Sequence, residues 1–200
     1  MLDETKAQFD DNIVRVKNLV RVYTDHLAGY GQGRRPVHSS DVLRAATVLL
    51  HATLEEFLRG VSAWKLPQAS EDVLDGIPLV GSQRHEKYTL GKLASHRGKS
   101  VDGLISESVG AYLQRTNYNS THEICSLLDS VGVQLDPLRP HLPTLGEFLE
   151  RRHLIVHRAD RDDRPGRGYH RARSIGRKAL NRWVETVVMF AAAICSQLDA

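Results

Sequence analysis

The chain has 200 residues, 41% of them hydrophobic and 26% charged, with a formal net charge of +3 and a pI near 8.9. That length and composition suit one globular domain and exclude a disordered polymer, while so mild a basicity does not by itself imply nucleic acid. The opening MLDETKAQFDDN is unlike a signal or transit peptide, and the longest apolar run, 187–195, is too short to span a bilayer. A cytoplasmic protein with no membrane partner is therefore expected. Cys125 and Cys195 are too few for a disulfide framework or a zinc site and are expected to be buried free thiols.

Taken in chain order, helical periodicity dominates. Residues 3–28 carry Phe9, Ile13, Val16, Val20 and Tyr23 at three- and four-residue spacing. GYGQGRRP at 29–36 breaks the pattern, and SSD at 39–41 offers N-cap residues for a second helix over 41–64. That helix is apolar almost all round and so is expected to be central. Its exception is a polar stripe of Arg44, Thr47, His51 and Glu55, either a solvent edge or the wall of a cleft. Residues 67–86 are irregular. Further helices are predicted over 88–96, 101–114 and 120–131. Thr144 and Glu147 read as a capping box opening a helix that reaches about 159. A charged loop at 160–170 leads to a last helix over 172–198. No strand-like alternation, repeat or linker is visible, so the expectation is an all-α, up-and-down helical bundle.

The stretch ERRHLIVHRADRDDRPGRGYH at 150–170 concentrates the chemistry. On a helical wheel Leu145, Phe148, Leu149 and Val156 share one face with Arg152 at its centre. His153 and His157 border that face, Leu154 points away from it, and Arg151 reads as a surface residue. A guanidinium cannot lose its charge, so Arg152 must pair with a carboxylate such as Glu55, snorkel to water, or face a seam where an anion binds. The spacing of His153 and His157 suits a metal, and Glu150 with His153 makes a Glu-x-x-His half-motif. No second half exists in the chain, and two flanking arginines repel a dication, so neither a metal site nor a cofactor is expected.

An arginine beside an imidazole suits RNA cleavage better. Arginine binds phosphate bidentately, and histidine exchanges a proton near neutrality. Attack by the ribose 2′-hydroxyl needs no metal and leaves a 2′,3′-cyclic phosphate and a 5′-hydroxyl. Arg152 and His157 lie five residues apart, roughly 140° round an ideal helix. A second copy of the helix across a two-fold axis would bring both residue types into one groove.

Arg152-His-Leu-Ile-Val-His157 resembles the Arg-x4–6-His motif of the HEPN superfamily of all-α domains, with His153 at a position that is often polar there. RAATVLLHATLEEFLRG at 44–60, with Glu55, Phe57 and Arg59, is similar to an early helix of HEPN proteins of the RiboL-PSP type. TNYNSTHEICSLLDSVGV at 116–133 resembles the helix before the motif. The resemblance covers about 40–198. It implies a single helical-bundle domain, a homodimer with a composite cleft, and metal-independent endoribonuclease activity in a toxin, defence or RNA-processing role. Arg152 and His157 would then be catalytic, His153 accessory, and Glu55 a residue orienting Arg152, with His51 beside it on the stripe. Some members of the superfamily are non-catalytic interaction or ligand-binding modules, which is the alternative reading.

From 158 to 178 the chain carries seven arginines and Lys178 against three aspartates, a local +5. Tyr169 and His170 add rings that stack on bases. The segment is either a solvated charged loop or an RNA cradle in which Arg151, Arg158, Arg161, Arg164, Arg167 and Arg171 contact phosphates. An antitoxin or other acidic regulatory protein would use the same surface.

Overall fold

The computed structural model describes residues 2–28, 37–81, 89–162 and 172–198. Among them the protein is all-α, the only extended pairing being an isolated bridge between Arg161 and Ala172. Helix α1 spans Leu2–Val22 and runs into a π-turn at Tyr23–Leu27, close to the expected first helix. Helix α2 spans Asp41–Lys65 and α3 spans Glu71–Asp75. Helix α4 is only Leu90–Leu93, followed by a 3-10 turn at Ala94–His96, so the helix expected over 88–96 is reduced to a turn or two. Helices α5 (Val101–Leu113) and α6 (Thr121–Ser130) match their expected ranges closely. Helix α7 spans Leu142–Arg158 and α8 spans Arg177–Leu198.

Helix α2 is central, as its apolar circumference demands: α1, α5, α7 and α8 all pack on it. Leu43, Ala46, Leu50, Leu54 and Leu58 are fully buried. They join Phe148 and Leu149 of α7 and Val187, Phe190 and Ile194 of α8 in one apolar cluster. The rings of Phe9 and Phe57 lie 5.0 Å apart and tie α1 to α2. At Gly60 the two helices come close enough that an added Cβ would sit 2.6 Å from Thr5 Cγ2, so α1 rests directly on the backbone of α2 there. No described helix is long and apolar enough to cross a membrane.

Two helix starts differ from expectation. Thr144 and Glu147 do not form a capping box. Helix α7 already begins at Leu142, with Pro143 in its first turn, as a continuation of the 3-10 segment Asp136–His141. Glu147 instead pairs with Arg182 of α8. The capping box lies one helix earlier. Ser120 accepts from the Glu123 amide, and the Glu123 carboxylate accepts from the amides of Ser120 and Asn119. Helix α8 starts at Arg177 rather than 172, because the carbonyls of Arg173 and Ser174 accept from arginine side chains instead of entering a helix.

Candidate functional site

The polar stripe of α2 is neither a solvent edge nor an open wall. Arg44, Thr47 and His51 are buried and Glu55 is half-buried, so the stripe forms an internal polar seam. Its two ends do different things. At one end Arg44 Nε donates to Asp160 Oδ2 at 2.7 Å, and Arg151 Nη2 donates to the same oxygen at 2.8 Å. Both arginines also donate to the carbonyl of Arg173, at 2.7 and 3.1 Å. Asp160 is fully buried and sits just past the end of α7, where Ala159 and Asp160 take left-handed φ values of 48° and 57°. This clamp joins the end of α7 to the strand-like segment leading into α8, so it closes the base of the basic loop.

Arg151 is therefore not the surface residue expected from the wheel. Its side chain is 14% exposed and engaged on Asp160. Burial holds the guanidinium pKa below its ordinary value, and the Asp160 charge and hydrogen bond offset only part of that. Val156 departs from the wheel in the opposite sense, being 47% exposed. The reason is common to both. The apolar face of α7 is buried through Leu149, but beyond it α7 leaves the main core, and the covered side shifts round to Arg151, Arg152 and Ile155.

At the other end of the seam, His51 faces two acceptors. Its Nε2 lies 3.2 Å from the Tyr118 carbonyl and its Nδ1 lies 3.4 Å from Glu55 Oε2. Its ring centroid is 6.2 Å from that of Phe148. Glu55 Oε1 also accepts from the Tyr118 amide at 3.5 Å. Burial works to raise the Glu55 pKa. The hydrogen bond and charge of His51, the Tyr118 amide and the nearby Arg152 charge outweigh it, and the carboxyl lies below its ordinary range. Tyr118 is itself buried, which pushes its phenol up to about 12.

Arg152 completes this end. Its Nη1 donates to Asn119 Oδ1 at 2.8 Å, and no ion pair joins it to Glu55. Orientation of Arg152 by Glu55 is thus corrected: the anchor is the Asn119 amide. Glu55 feels the arginine's charge but bonds to His51 and Tyr118. Asn119 was not legible as a site residue. Its one signal is its place immediately before the Ser-x-x-Glu signature of α6.

His153 and His157 are exposed and meet each other, with ring centroids 4.6 Å apart and planes inclined at 43°. Neither shares a hydrogen bond, ion pair or ring contact with Arg152. Arg158 and Arg161 are exposed at the end of α7. Arg164, Arg167 and Arg171, like Tyr169 and His170, lie outside the described residues. Cys195 is buried as expected, while Cys125 is half-buried with a thiol pushed up by burial.

Two clefts flank these groups. One, of about 410 Å³, lies against Arg151, Arg173 and Trp183. The other, of about 610 Å³, runs between Ile77, Tyr112 and Leu127 and reaches Asn117 and Glu123. No family model matches the chain, nor does any curated protein or solved structure.

Proposed function

We propose that the protein is a metal-independent endoribonuclease of the HEPN type. It would act as a homodimer in which Arg152 and His157 work on one phosphate, in a toxin, defence or RNA-processing setting. One observation carries this reading. Three arginines lie in or beside the α2–α7 seam, and two of them, Arg44 and Arg151, share the carboxylate of Asp160. The direct partner of Arg152 is instead a neutral amide, at 2.8 Å. A guanidinium held in place but not neutralised by a bonded carboxylate keeps its charge for an incoming anion. Beside it, His153 and His157 are open to solvent.

The chemistry follows from these positions. Arg152 would stabilise charge building on the phosphoryl oxygens. His157 would take the 2′-hydroxyl proton or protonate the 5′-oxygen as it leaves. Within one chain the two residues do not touch. A two-fold axis along the exposed side of α7, where Val156 lies between Arg152 and His157 in sequence, would oppose one copy's His157 to the other's Arg152. That exposed valine supplies apolar area for such a contact.

The separation of Arg152 and His157 within a chain also favours a second reading, a non-catalytic helical module. Incubation of the purified protein with labelled RNA in the presence of chelator separates the two. Endoribonuclease activity predicts products ending in a 2′,3′-cyclic phosphate. General acid–base removal in His157→Ala is expected to lower the rate by about 10²–10⁴-fold. Cleavage surviving undiminished in both Arg152→Ala and His157→Ala would sink the assignment.

A further inference from the structure

We infer that the cleft of about 610 Å³ between α5 and α6 is a nucleobase subsite, taking the base next to the phosphate held by Arg152. The inference rests on the RNA reading above and adds to it a site for the base. The volume lies within the range of about 300–1,000 Å³ in which small-ligand pockets fall. Its lining includes the apolar residues Leu66, Ile77 and Leu127 together with Tyr112. Asn117 and Ser126, both exposed, offer an amide and a hydroxyl at the rim. An apolar slot with a ring and a few neutral polar groups suits a flat heterocycle with polar edges.

The charges argue for the base rather than the phosphate. Among the described residues, no lysine or arginine lines the cleft. Its carboxylate, Glu123, is already engaged by the amides of Asn119 and Ser120 at 2.9 and 3.0 Å. His122, also in the lining, adds a second ring of the kind that stacks on bases. The cleft is thus built for a neutral group, and the cation that a nucleotide also requires stands beside it. Asn119, held at its amide by Glu123, carries Arg152 on its side chain. Asn117 in the cleft and Asn119 on the arginine are two chain positions apart, which limits their Cα separation to about 7 Å. Base slot and phosphate arm are therefore successive features of one short segment, 117–119, in the order in which a nucleotide presents its own parts.

The test uses the full chain and two readouts. In the first, uridine and adenosine, which carry no phosphate, are titrated while backbone amide resonances are followed. Saturable shifts at Tyr112, Ser126 and Leu127 are expected, lost in Ser126→Trp, which fills the mouth from an exposed helix position, and retained in Arg152→Ala. Inorganic phosphate is expected to leave the cleft resonances unmoved. In the second, RNA cleavage by Ser126→Trp is expected to show KM raised by about 10- to 100-fold with kcat little changed, the scale on which loss of one stacked base is felt. Nucleosides that move no cleft resonance at millimolar concentration would overturn the inference even if RNA is cleaved. So would unaltered KM in a folded Ser126→Trp. Cleft binding of nucleosides without any RNA cleavage would uphold the subsite while the nuclease reading fails.

Discussion

Asp160 and Asn119 show how two similar polar contacts serve opposite ends. Asp160 is a fully buried carboxylate with two guanidiniums on one oxygen. Deleting one member of a buried charge network leaves the others uncompensated, so Asp160→Ala is expected to cost about 3–5 kcal/mol, read as a lower denaturation midpoint. A loss under about 1 kcal/mol would show that water compensates both arginines, the range typical of exposed pairs. Glu55 makes a pH-dependent contribution whose sign is determined. Its folded pKa lies below the ordinary 4.5. The stabilisation is therefore fully present above that value and lost as pH falls through the folded one. The stability gap between the wild-type protein and Glu55→Gln should accordingly be larger at neutral pH than in acid. A gap independent of pH, in chemical denaturation, would contradict it. None of these partnerships was legible from sequence. The wheel marked Arg152 as out of place, but the choice between Glu55 and Asn119 depended on where a residue 33 positions away arrives.

At the level of elements, the helices themselves were legible and their ends were less so. Helix α2 has apolar residues at every spacing, and its range came out within a residue. Its closest approach to Thr5 of α1 is at Gly60, where a Cβ would meet Thr5 at 2.6 Å. Gly60→Ala is expected to push the helices apart at a cost of about 1–3 kcal/mol, visible in the thermal midpoint. An unchanged or raised midpoint would mean that Thr5 moves aside and helix propensity wins. At the end of α7 the sign reverses. Ala159 holds φ 48° with a Cβ in a region that disfavours one. Ala159→Gly removes that clash and adds chain entropy to the unfolded state. A net gain of up to about 1 kcal/mol is expected, and any clear loss would argue against strain there. The misplaced capping box has a simple cause. Ser/Thr-x-x-Glu patterns occur at 53, 120 and 144, and only that at 120 sits where the chain enters a helix from an extended residue. Pro143 and the preceding 3-10 turn had already started α7 before Thr144.

For the whole molecule the open question is how many copies make a site. One copy separates Arg152, held in the seam, from His157, which meets His153 in solvent. If the site is composite, light scattering at assay concentrations should give twice the mass of the 22.4 kDa chain. Mixing inactive Arg152→Ala with inactive His157→Ala should then restore part of the activity through mixed dimers. A monomeric mass, or no recovery on mixing, would rule out a shared site. By itself the sequence determined the all-α class, the central place of α2, the spacing that puts His153 and His157 one turn apart, and the excess of positive charge after α7. These depend on local periodicity and composition, which each segment carries within itself. The tertiary structure decided that Arg151 is locked on Asp160 while Arg152 rests on an uncharged amide. It also decided that the stripe on α2 is an internal seam, and that the base of the basic loop is clamped. These depend on which distant side chains share one low-dielectric space. A buried charge settles on the partner that packing brings to it, and helical spacing carries no record of that partner.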